Sequence, residues 1–122
     1  LIDLNTVLTL LAVHWFGDFV LQTDWQAKNK SKNNLALLLH VTIYTVCLAV
    51  FGSVFFTNAS WIVYWILGNG AAHFAVDYVT SKINTHVWNK GKVHGFFVLI
   101  GFDQLIHYTC LFASLTYMQD LL

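Results

Sequence analysis

Apolar and polar positions follow one another along this chain in blocks rather than residue by residue. Residues 2–22, 35–56, 61–80 and 95–118 are long apolar stretches, separated by the polar breaks "QTDWQAKNKSKNN", "FTNAS" and "SKINTHVWNKGKVH". Each stretch is close to the ~20 residues that cross the hydrocarbon core of a bilayer as a helix. The strict alternation of a membrane barrel strand is missing, and the chain has no proline to interrupt a helix. The pattern predicts an all-α protein, with residues 1–122 forming a single integral membrane domain, a four-helix transmembrane bundle.

Composition sharpens this picture. Of the 122 residues, 57% are hydrophobic and only 10% charged, with a mean hydropathy of +0.62. A soluble domain carries about 25% charged residues, so this chain lacks the polar surface to cover a globule in water. The basic residues are all lysines, in two groups: Lys28, Lys30, Lys32 and Lys82, Lys90, Lys92. Both groups fall in the first and third breaks. The positive-inside rule makes those two loops cytoplasmic and puts both termini outside. Trp25 and Trp88 then lie near the inner boundary, Trp61 and Trp65 near the outer one. Two short lysine groups make no continuous basic face, so nucleic acid is not an expected partner. Cys47 and Cys110 sit in apolar runs, as small packing residues do. The "GNGAA" stretch at Gly68 allows close helix approach, within the bundle or in a homodimer.

The spans also carry ionisable residues, which are expensive inside a membrane and face partners there. These are His14 and Asp18 in the first span, His40 in the second, His73 and Asp77 in the third, and Asp103 and His107 in the fourth. The first and third spans run inward and carry His-x3-Asp. The fourth runs outward and carries Asp-x3-His. Motif order reverses with chain direction, so each aspartate lies nearer the cytoplasm and each histidine deeper. All seven fall roughly 5–18 Å from the cytoplasmic end of their spans at the helical rise. "HWFGDFV" also aligns with "HFAVDYV", and the second span with the fourth when His40 is set against Asp103 and Tyr44 against His107. Such a repeat is parallel, with a pseudo-two-fold axis along the membrane normal.

Imidazole and carboxylate without thiolate form a ligand set suited to zinc, with iron or manganese as alternatives. Seven candidates fit two metals sharing a bridging aspartate, or one metal with supporting hydrogen-bond partners. Asn69, Gln22 and Tyr44, close by on their helices, are candidates for that support. The expected function is intramembrane metal-dependent hydrolysis of a lipid or amphipathic substrate near the cytoplasmic face. A bound water would be activated by the ion, and Asp18 or Asp77 would act as general base. Lys30, Lys32 and Lys82 are topology determinants first, and candidates to attract an anionic head group second. Two other classes use the same residues: a metal-ion or proton transport or binding protein, and a haem protein with axial histidines.

At "HWFGDFVLQTDWQAKNKS", "LALLLH", "AHFAVDYVTSKI" and "GFDQLIH" the chain closely resembles the domain of unknown function 3307, a family of small bacterial and phage inner-membrane proteins. The likeness covers nearly the whole chain and its motif order is specific. It brings no established activity. It implies a multi-pass protein of a bacterial inner membrane and a functional reading for His14, Asp18, His40, His73, Asp77, Asp103 and His107. At the level of fold and motif the family is distantly similar to membrane-bound metal-dependent hydrolases. His86 and His94, in the second lysine loop, are read as solvated.

Overall fold

Asp3 opens the first helix by accepting from the Thr6 backbone N–H, the usual device for an otherwise orphaned helix donor. In the computed structural model, which describes residues 2–121, that helix is α1 (Leu4–Trp15). It is followed by α2 (Asp24–Asn29), α3 (Asn34–Phe55), α4 (Ile62–Asn89) and α5 (Val93–Leu121). The architecture is all-helical, and no strand occurs among the described residues.

Several boundaries differ from the sequence expectation. The first span is not one helix over 2–22, because α1 widens into a π-helical segment at Phe16–Val20, with Leu21 N–H bonded to the Phe16 carbonyl at 2.9 Å. The first lysine break is not all loop. It contains α2, started by a capping box in which Thr23 accepts from Gln26 N–H and the Gln26 side chain accepts from Thr23 N–H. The second lysine break is nearly absent: α4 continues past residue 80 to Asn89, and α5 begins at Val93. Polar residues there do not end a helix, since nothing in "SKINTHVWN" opposes helical φ/ψ. The chain reverses only at Gly91, whose φ of 70° is the left-handed conformation that glycine adopts without cost. His86 and His94 thus lie in α4 and α5 rather than in a loop.

The buried set is as polar as it is apolar. One end of the bundle, beside the α3–α4 turn, is filled by Leu10, Tyr44, Leu48, Phe51, Trp65, Leu111 and Leu115. Trp65 is 1% exposed and its indole N–H donates to the Leu111 carbonyl, so it is a core residue and not a boundary anchor. The other half of the interior holds His14, Asp18, His40, His73, Asp77, Asp103 and His107. Outward faces carry large apolar side chains on every long helix, among them Leu4, Val50, Tyr64, Leu67, Phe97 and Leu105. Two helices, α3 and α5, are long and apolar enough to cross a membrane.

Helix packing places the polar half. α3 packs on α4 and α4 on α5, while α1 and the π segment lie against α3. Gly17 lets the π segment come close: a Cβ there would stand 3.2 Å from Cys47 Cβ. Between α1 and α5 the backbones do not pack closely. A two-fold repeat would give α1–α5 a close contact matching α3–α4; instead side chains bridge that side, with His14 Nε2 2.7 Å from Gln104 Oε1.

Candidate metal centre

Helical periodicity stacks residues four apart, so His14 with Asp18, His73 with Asp77 and Asp103 with His107 each present two groups to the bundle axis. His40 joins them from α3. Folding brings all seven into one buried cluster. At its centre, His40 Nε2 and His73 Nε2 are 3.2 Å apart. Asp18 Oδ1 lies 3.0 Å from the first and 3.3 Å from the second. Asp77 Oδ2 lies 3.4 and 3.6 Å from the same two nitrogens. A tetrahedral shell with bonds of about 2.0–2.1 Å sets its ligand atoms about 3.3–3.4 Å apart. Four donors on four different helical turns therefore sit at the spacing of one shell. These buried groups can hold a metal ion.

A second group adjoins the first. Asp18, Asp103 and His107 bring one donor each to within 4.8 Å of one another, so Asp18 belongs to both groups. His107 Nε2 lies 3.1 Å from Asp77 Oδ1 and 3.2 Å from Asp103 Oδ2. His14 belongs to neither donor group but touches Asp18, its Nε2 lying 3.4 Å from Asp18 Oδ2. Its Nδ1 meets the Tyr44 hydroxyl at 3.0 Å and its Nε2 the Gln104 side-chain oxygen at 2.7 Å. The rings of His14, Tyr44, His73 and His107 form a closed circuit, with stacked centroids 4.0 Å apart at Tyr44–His73 and at His73–His107.

Charge sets what the cluster needs. Asp18, Asp77 and Asp103 bring three negative charges, and Lys30 Nζ, 2.8 Å from Asp77 Oδ2, brings one positive charge. With neutral imidazoles two negative charges remain, the charge of one divalent cation. Buried charge left unbalanced is costly, so the three carboxylates need positive partners, and with neutral imidazoles one divalent cation beside Lys30 would supply them.

Residues 6–121 match the family model described as Protein of unknown function (DUF3307). The chain belongs to this family. Neither a curated protein nor a solved structure matches it.

Three groups of this DUF3307 chain enter the site without a clear sequence signal. Gln104 donates to Asp18 Oδ2 at 3.0 Å and to Asp103 Oδ2 at 3.1 Å, tying α5 to the π segment. Its position beside Asp103 was the only hint. Thr80 donates to Asp103 Oδ1 at 2.6 Å. Lys30, read from sequence as a solvated loop residue first, is turned inward, because the capped helix α2 ends at its position and directs it at Asp77. Lys32 and Lys82 do not reach the cavity that opens beside the cluster; Lys82 lies over the Tyr78 ring. Of the suggested supporting groups, Tyr44 binds His14 and Gln22 lines the cavity. Asn69 instead bonds the Trp65 carbonyl and the Ser114 hydroxyl.

Proposed function

We propose that this protein is a four-helix membrane protein that binds a divalent metal ion, zinc by the fit of the shell, and hydrolyses an amphipathic or lipid substrate at its lysine-bearing end. The observation that carries the reading is the set of five donor separations of 3.0–3.6 Å among His40, His73, Asp18 and Asp77. Charge neutrality with one divalent ion supports it. The inverted surface, polar inside and apolar outside on every long helix, supports the membrane placement. α4 and α5, about 42 and 44 Å long at the helical rise, exceed a bilayer core, so their lysine-bearing ends project from it. The lysine rule makes that side cytoplasmic and both termini external, and the family resemblance implies a bacterial inner membrane.

A zinc ion held there would supply Lewis acidity and lower the pKa of a water toward ~7. A catalytic site keeps one position open, so three of the four central donors hold the ion and the fourth is free for proton transfer. Asp77, which faces the cavity, would take that base role, with Lys30 orienting its carboxylate. Asp18, shared by both donor groups, would be the residue common to two ions if a second one bound. His14, Gln104 and Tyr44 keep Asp18 in place. Transport fits less well, because the apolar cluster closes the far end of the bundle. Haem fits less well too, because histidine rings already in contact leave no slot for a porphyrin.

Metal analysis of protein purified without chelator tests the reading. One or two zinc ions per chain in the wild type, lost in His73→Ala, are the expected result, with a nitrogen–oxygen shell near 2.0 Å by X-ray absorption. A metal-free wild-type protein would overturn it, and a strong Soret band would replace it with haem.

A further inference from the structure

Beside the donor cluster, between the π segment, α2, α4 and α5, lies a cavity of about 210 Å³. Asp18, Asp77, Asp103 and Gln104 form its floor, and the four clustered histidines lie behind them. Lys30 stands on one wall. Gln22, Ser81 and Asn84 stand on the others, and Phe19, Phe96 and Ile100 line the side between the π segment and α5.

Gln22 Oε1, Ser81 Oγ and Asn84 Oδ1 are buried atoms with no hydrogen-bond partner in the protein, and all three residues line this one cavity. Ser81 is 8% exposed. Leaving such a group unpaired costs about 1–3 kcal/mol, so three of them around one space mark a place built to receive hydrogen bonds. Two of the three are carbonyl oxygens, and the floor is carboxylate. The cavity is therefore rich in acceptors and calls for a ligand that donates. An uncharged donor leaves the Lys30–Asp77 ion pair undisturbed, whereas a cationic one would compete with Lys30 for Asp77. Hydroxyl groups satisfy both conditions. The apolar side, with Phe19 43% exposed, offers a path for a chain toward the lipid-facing surface.

We infer that this cavity binds the hydroxyl-bearing head group of an amphipathic molecule, with Gln22, Ser81 and Asn84 as its specificity residues and the tail leaving between the π segment and α5. The assignment deepens the hydrolase reading and rests on its membrane placement, while the head-group contacts themselves need no metal. A head group held there sets the first bond of its tail above Asp18 and Asp77.

Three uncharged probes test it on detergent-solubilised protein, with and without chelator: monooctanoylglycerol, methyl octanoate, and glycerol. The expected result is monooctanoylglycerol binding at least about 10-fold tighter than methyl octanoate, from two or more hydrogen bonds. Ser81→Ala, Asn84→Ala and Gln22→Ala should each cut that affinity about 3- to 10-fold and leave methyl octanoate binding unchanged. Glycerol binding as tightly as its ester supports the same contacts with a soluble polyol as their source. Equal binding of the two octanoates by the wild type would overturn the inference, as would variants that weaken both alike. Zinc content measured on the same samples reports on the metal centre separately, so either assignment can fail alone.

Discussion

Gln104 is neither ionisable nor a metal ligand, yet its amide joins three members of the cluster. Its oxygen faces His14, and its nitrogen donates to Asp18 and Asp103. Gln104→Leu removes these partners at nearly constant size and leaves two carboxylate oxygens short of a donor. A loss of about 1–3 kcal/mol in stability is expected by denaturant titration, with weaker metal binding as its companion. Gly17 acts by having no side chain. A leucine there meets Cys47 at once, and the cost of forcing the π segment from α3 is about 1–3 kcal/mol. Because Asp18 is the next residue, Gly17→Leu should lower zinc content as well as thermal stability. Neither residue announces itself in a sequence, since an amide or a glycine in an apolar helix has many ordinary uses.

Helix α2 is short, and its two ends do different work. The Thr23–Gln26 capping box starts it, and Lys30 at its C-terminal end reaches Asp77. Thr23→Ala should cost about 1 kcal/mol and loosen that arm in particular. Hydrogen exchange at residues 24–30 should speed up while α4 around His73 stays protected, which places the effect in the arm and not in the bundle. The capping-box pattern was present in "TDWQ", but a break crowded with lysines and asparagines reads as loop by composition. The overlong α4 and α5 were hidden by the same bias. Polar residues mark where a membrane span ends, which is not where a helix ends.

The assembled bundle carries opposite contents at its two ends, an apolar plug beside the α3–α4 turn and a charged centre beside the lysines. An ion that binds the folded donor set and not the unfolded chain stabilises the fold, so metal binding should raise stability as a whole. Zinc at 100-fold over its dissociation constant adds about 2.7 kcal/mol to unfolding. Thermal unfolding in detergent should therefore shift upward with added zinc in the wild type and stay fixed in Asp18→Asn. No shift in the wild type would count against the central donor set.

The helical class and the seven ionisable residues were legible in the chain because both follow from local rules. Apolar block length reports the helices, and a spacing of four puts His and Asp on one face. Their reversal in the last helix reported that the faces meet at one depth. Contacts across helices have no such local trace. Which donors reach a common centre, that His14 is held by Tyr44 and Gln104, and that Lys30 turns inward depend on packing angles and on one π turn. The cavity beside the cluster is decided there too, since its lining comes together only from the π segment, α2, α4 and α5.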